Sequence, residues 1–220
     1  MITLGVLVSG GGTNLQAVLD AIAAGRLDAR VAVVVSNVAA AGGLARAQAA
    51  GIETVVLDHR TFAGRAAFDA AVVDVLRARG VEVVVLAGFM RIVTPTLLDA
   101  FPMRVVNVHP ALLPAFPGVD GQRQALRYGV RIAGCTVHLV DAGTDTGPIL
   151  AQAAVPVLPG DDEAALRARI LVQEHALLPM VLQWFAEGRV EVTPPARGEE
   201  GEAARARVVV RDAVTALGLR

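Results

Sequence analysis

The stretch ITLGVLVSGGGTNLQAVLDAIAAG, residues 2–25, decides the fold. A run of mostly apolar residues rich in β-branched types leads into a glycine turn. Beyond the turn, apolar residues recur at helical spacing until a glycine stops them. A strand, a tight turn and a helix in this order make the first half of a βαβ unit. The same alternation continues along the chain. VAVVVS (Val31–Ser36), IETVVL, VEVVVLAG and RVVNVH read as strands buried on both faces of a parallel sheet. GLARAQAAG and RAAFDAAVVDVLRARG read as the intervening helices. The expectation is an α/β fold, a doubly wound and mostly parallel sheet with helices on both faces, Rossmann-like and in a single domain.

After residue 130 the rhythm changes. IAGCTVHLVD and PILAQAAVPVL, separated by AGTDTG, read as a pair of strands joined by a loop. A long helix is expected from Asp161 to about Glu187, with acidic residues at its start and a kink at Pro179. The predicted domain covers residues 1–192, with a phosphate-binding βαβ half in 1–110 and a second half in 111–192 that holds the glycine-rich loop and the long helix. Residues 193–220 read as a linker and terminal extension.

Composition narrows the function. Hydrophobic residues make up 54% and charged residues 19% of 220, which describes a packed globule. The net charge of −1 gives no electrostatic reason to expect nucleic acid, so a small-molecule partner is expected. All 20 basic residues are arginine, which excludes a lysine Schiff base and a P-loop lysine. The lone Cys135 cannot form an internal disulfide, the N-terminus lacks a cleavable leader pattern, and no apolar run is long enough to span a membrane. The chain reads as cytoplasmic. The histidines His59, His109, His138 and His175 show no zinc-type spacing with one another or with Cys135, so no metal is expected.

The turn SGGGTNLQA points backbone N–H groups at an anion, with the helix N-terminus behind them. Leu15 stands where a dinucleotide fingerprint needs its last glycine, and Asn37 rather than an acid follows the second strand. What remains is a monophosphate cradle at Gly11, Gly12, Thr13 and Asn14, with Thr13 and Asn14 also able to cap the helix, or else plain turn chemistry. The fourth strand ends in GFMRIVTP, where Met90, Ile92 and Val93 can line a slot for a flat ring and Arg91 can meet an anion; ordinary core packing is the competing account. In NVHPALLPAFPG, residues 107–118, Asn107 and His109 fall on one face of a strand. An amide and an imidazole side by side can both donate to an oxyanion, although a structural histidine before proline fits the same pattern. A carboxylate near His109 favours its charged form, and DAGTDTG offers Asp141 and Asp145, unless both serve the turn itself.

Taken together, SGGGTNLQA, VVVLAGFMRIVTP, NVHPALLPAFPG, GCTVHLVDAGTDTGP and LVQEHALLP resemble the phosphoribosylglycinamide formyltransferases of purine biosynthesis, collinearly from Ile2 to about Val192. The resemblance implies formyl transfer from 10-formyltetrahydrofolate, as co-substrate, to the amine of 5′-phosphoribosylglycinamide, in a monomer or homodimer. It implies a ribonucleotide site at Gly11, Gly12, Thr13 and Asn14, with Glu174 near the glycinamide part. It implies a folate site at Arg65, Met90, Arg91, Ile92, Val93 and Asn107 and the loop Asp141, Ala142, Gly143, Thr144 and Asp145. Asn107, His109 and Asp145 match the family's catalytic trio. The segment VDGQRQAL departs from the pattern, since relatives commonly carry a histidine there, and the tail beyond Thr193 departs as well. Methionyl-tRNA formyltransferase adds a C-terminal domain, and formyltetrahydrofolate hydrolase an N-terminal one, for which this chain is expected to have no room. A non-catalytic nucleotide- or folate-binding protein is the rival from another class.

Overall fold

The computed structural model describes residues 1–193 and 206–211. Strands β1 (Ile2–Val8), β2 (Ala29–Ser36), β3 (Thr54–Val56), β4 (Val83–Leu86) and β5 (Val105–His109) alternate with helices α1 (Thr13–Ala23), α2 (Gly42–Ala49), α3 (Arg65–Arg77) and α4 (Pro95–Ala100). After α5 (Gly121–Tyr128), β6 (Ile132–Leu139) and β7 (Ile149–Pro156) precede the long α6 (Glu163–Ala186). The sheet has seven strands in the order β3-β2-β1-β4-β5-β6-β7. Strands β1 to β5 pair in parallel, while β6 and β7 join antiparallel. The mostly parallel, doubly wound sheet expected from the sequence is therefore the one observed.

Alternation along the strands builds two cores. Leu4, Val6 and Val8 of β1 point to one face and pack with Leu15 and Val18 of α1, Leu44 of α2, and Ile170 and Leu178 of α6. Leu7 points to the other face and packs with Val84 and Leu86 of β4, Phe68, Val72 and Leu76 of α3, and Leu97 of α4. Gly5 lets α3 approach closely, because a Cβ there would lie 2.4 Å from Leu76 Cδ2.

Chain order reverses between β1 and β4, and the crevice beyond their carboxyl ends is where open α/β sheets take ligands. Both loops that matter leave from this point, and they are tied to each other. Ser9 N donates to Gly88 O at 3.1 Å, and Met90 N donates to Ser9 Oγ at 2.9 Å.

Two local expectations need correction, and the long helix lies where it is expected. The cap of α1 is Gly12 at φ 71°, not Thr13 or Asn14, whose side chains make no cap bond. Glycine takes this left-handed conformation without strain and, having no side chain, leaves the first N–H groups of the helix without a side-chain cap. The long helix spans Glu163–Ala186 with the buried Pro179 inside it, and it starts behind Asp162, whose side chain accepts from Ala165 N at 2.8 Å. The boundary at residue 192 falls inside β8 (Val190–Thr193), which pairs antiparallel with β9 (Arg207–Val210). Val208 and Val210 pack against the main core, so part of the supposed extension completes the domain's edge. Helices α4 and α5 do not stand out in the sequence: α4 has only six residues, and α5 (GQRQALRY) is mostly polar, burying Gly121, Gln122 and Ala125.

Candidate active site

Two cavities flank the switch point and share a wall. The first, of about 420 Å³, is lined by Gly11, Gly12, Thr13 and Asn14 of the glycine turn, by Gly88 and Met90 of the β4 loop, by Val108 and Gln122, and by Arg167, Leu171 and Glu174 of α6. The second is a slot of about 110 Å³ lined by Leu86, Phe89, Arg91, Ile92 and Val93, by Asn107 and His138, and by Asp141, Gly143, Thr144 and Asp145. Asn107 and Val108 are consecutive on β5 and therefore face opposite ways, one into each cavity.

At the first cavity the backbone is shaped by glycine contact. A Cβ on Gly12 would stand 2.5 Å from Gly43 Cα, and Gly43 N donates to Gly10 O at 3.0 Å. The first turn of α2 thus packs directly on the glycine turn. Arg46 supports it from outside, with Nε donating to Gly11 O at 2.8 Å and Nη1 to Gln16 Oε1 at 3.1 Å. With no side-chain cap, N–H groups at the start of α1 are left for a guest. Asn14 Nδ2 donates to Glu174 Oε2 at 2.8 Å, while the buried Asn14 Oδ1 has no partner among the described residues. Burial pushes the Glu174 carboxyl up, against the opposing effects of the Asn14 hydrogen bond and the charge of Arg167.

At the second cavity Asp145 gathers two imidazoles. Its Oδ2 lies 3.4 Å from His109 Nδ1 and accepts from Gly118 N at 2.7 Å, and its Oδ1 lies 3.6 Å from His138 Nε2. Burial raises the Asp145 carboxyl, but His138, the Gly118 N–H and the charge of His109 together outweigh it and hold it below the ordinary value. His109 Nε2 faces the Phe116 carbonyl at 2.9 Å, and a carbonyl only accepts, so that nitrogen carries a proton. Both ring nitrogens of His109 thus face acceptors, the arrangement that suits the imidazolium. His138 Nδ1 likewise faces Leu139 O at 2.9 Å, and its Nε2 stands between Asn107 Nδ2 at 3.1 Å and Asp145 Oδ1 at 3.6 Å.

The expected trio therefore converges, and it does so through a fourth member. His138 sits directly opposite Asn107 in the β5–β6 register and is 1% exposed. Sequence reasoning assigns His138 no role, although a histidine inside the apolar run CTVHLV carries the same signal as the one in VVNVH. Asp141 is used by its own loop, accepting from Gly143 N at 3.1 Å and Thr146 Oγ1 at 2.7 Å. Asp145 is free of such local bonds and holds φ 55°, a left-handed conformation that turns it toward the histidines.

Other expected residues are placed differently. Met90 is 72% exposed and lines the first cavity, not the slot, because its backbone is drawn to Ser9. Arg65 opens α3 and lines neither cavity. Ala142 belongs to the slot's loop without lining the slot. Arg91 does line it and stacks over Phe68, with 5.0 Å from Cζ to the ring centroid. Asp69, buried in α3, fixes the far end of this loop by accepting from Thr94 N at 2.5 Å and Thr94 Oγ1 at 2.7 Å. His175, which has no role in the sequence reading, lines a separate groove on the other side of α1.

The formyl transferase family model matches residues 3–182. The chain belongs to that family. Among similar formyl transferases, phosphoribosylglycinamide formyltransferase of Escherichia coli is 43% identical over 197 residues, which is 90% of this chain and 93% of that protein. The trifunctional purine biosynthetic protein adenosine-3 of Drosophila melanogaster is 45% identical over 191 residues, and there the chain spans only 14% of the relative's length. Glycinamide ribonucleotide transformylase 1 from Symbiobacterium toebii, a crystal structure, aligns with TM-score 0.89 and 52% identity over 96% of this chain and 95% of that one.

Proposed function

We propose that this protein transfers a formyl group from 10-formyltetrahydrofolate to the amine of 5′-phosphoribosylglycinamide, a step of purine biosynthesis. The observation that carries the reading is the Asn107–His138–Asp145–His109 cluster beside the wall common to the two cavities. Such a wall suits two substrates brought together edge to edge. The ribonucleotide phosphate would take the N–H groups of Gly12, Thr13 and Asn14, with Glu174 facing the glycinamide side. The folate ring would enter the slot between Ile92 and Val93 and the loop from Asp141 to Asp145.

In this mechanism the lone pair of the glycinamide amine attacks the formyl carbon, and the carbonyl oxygen becomes an oxyanion. Asn107 donates to it through the amide N–H that His138 leaves unused. His109 donates once the oxyanion replaces the Phe116 carbonyl as its acceptor. One such donor contributes about 3 kcal/mol in a transition state. Asp145 keeps His109 charged and oriented, and takes the proton lost by the attacking nitrogen, through water. Collapse of the intermediate breaks the bond to N10 of the folate, which leaves as tetrahydrofolate after gaining a proton. No covalent enzyme intermediate is involved.

A spectrophotometric assay of tetrahydrofolate formation tests this. Product is expected only when both substrates are present. Product without the ribonucleotide would indicate hydrolysis, and binding without product a non-catalytic role; either result removes the proposal.

A further inference from the structure

The first cavity poses an electrostatic problem for a phosphate. Glu174 lines it as a buried carboxylate, and its neighbour Asn14 is neutral. The N–H groups at the start of α1 supply only partial positive charge. Arg46 lies outside the turn, with Nε on Gly11 O at 2.8 Å, so a full cation on the cavity side would strengthen the hold on a phosphate dianion.

Arg167 is the one cationic side chain among the described residues that line this cavity. It sits on α6 four residues before Leu171 and seven before Glu174, so all three share the helix face turned to the cavity. Arg167 is exposed and forms no hydrogen bond or ion pair with any described residue. Arg169, two residues on, is instead held by Asp161 through contacts of 2.7 and 2.9 Å. The charge of Arg167 is felt at Glu174, where it opposes the effect of burial. Gln122 and Leu171 complete the same wall without adding charge.

We infer that Arg167 is the counter-charge for the phosphate of the acceptor ribonucleotide, closing the cavity across from the glycine turn. Its forked N–H groups take two phosphate oxygens while the backbone N–H groups of the turn take the rest. This assignment rests on the proposed acceptor. It makes recognition two-sided: a rigid backbone cradle selects for shape, and a solvent-accessible guanidinium supplies the charge.

The test compares wild type with Arg167→Gln and Arg167→Lys, in steady-state kinetics and in calorimetric titration with ribose 5-phosphate and with unphosphorylated ribose. Arg167→Gln is expected to raise the KM for the ribonucleotide, and to weaken ribose 5-phosphate binding, by about ten- to a hundredfold. kcat should stay within about twofold, and the folate KM and Tm should not move, since the side chain is exposed. Arg167→Lys, a point charge without the fork, should recover part of the loss. Unphosphorylated ribose should not distinguish the variants. Equal ribose 5-phosphate binding in wild type and Arg167→Gln, absence of binding to both, or a kcat defect at constant KM overturns the inference. If wild type gives no formyl transfer yet binds ribose 5-phosphate in an Arg167-dependent way, the proposed reaction fails and the anion site stands.

Discussion

The two cavities are built by different means. The glycine-turn cavity is mainly backbone: Gly12 in a left-handed conformation, Gly43 packed against it, and N–H groups left at the start of a helix. The slot is mainly side chain: Asn107 from β5, His138 from β6 and Asp145 from a loop, held by contacts of 3.1 to 3.6 Å. Backbone geometry is local and preformed, so it suits binding a fixed shape. A cluster assembled from three segments can set charge and proton positions, which chemistry needs, but it depends on each segment arriving in register. Changes in the slot should therefore act on kcat, and changes in the cradle on KM and on stability.

The largest expected effect is at the slot. His109→Ala and Asp145→Asn should each lower kcat by about 10²- to 10⁴-fold with the fold retained by circular dichroism. Near-wild-type turnover in either variant would erase the contrast between the cavities. His138→Ala should cost less, about a hundredfold or under, because it orients Asn107 and Asp145 and need not touch the reacting atoms. An unchanged rate there would reduce the cluster to its other three members.

Gly12→Ala should be the most damaging change at the cradle. The new Cβ would meet Gly43 Cα at 2.5 Å, a backbone contact that cannot swing away, and φ 71° is unfavourable for alanine. A loss of about 1–3 kcal/mol in urea unfolding, together with a raised ribonucleotide KM, is expected. Asn14→Ala should raise that KM about tenfold, or 1.4 kcal/mol, at nearly constant kcat. A pure kcat effect would contradict the division of labour.

Acid should also separate the two regions. The Asp145 carboxyl is held below its ordinary value in the folded state. Its contribution to stability is therefore complete above the ordinary carboxylate range and is lost as pH falls through the lowered value. Urea midpoints measured from pH 7 down to about pH 3 should fall less steeply in Asp145→Asn than in wild type. The smallest effect is expected at Cys135, buried in β6, where burial first and the charge of Glu174 second push the thiol up to about 12. Thiol reagents should label it at pH 8 only after unfolding. Rapid labelling of the native protein would mean that this strand opens.

Much of the architecture is legible in the amino-acid sequence. The β-branched runs and the glycines that stop the helices predict the sheet, because strand and helix periods are properties of neighbouring residues. The pairing of Asn107 with His109 on one strand face follows from the same local rule. What escapes is non-local. His138 lies 31 residues from Asn107 along the chain and meets it only through the antiparallel register of β5 and β6. Spacing cannot separate Asp141 from Asp145; the hydrogen bonds of the folded loop do, using one for the turn and freeing the other. Proximity in sequence groups Met90 with Ile92 and Val93 at the slot, but the bond to Ser9 turns it into the other cavity.

By itself, then, the chain order determined the architecture and which residue types could do carbonyl chemistry, since these rest on periodicity and on the conformational range of glycine. Tertiary structure alone decided that His138 joins Asn107 and Asp145, which residues line each cavity, and that Arg167 shares a wall with Glu174. Those outcomes depend on distances between segments far apart in sequence, which strand register and helix packing set together.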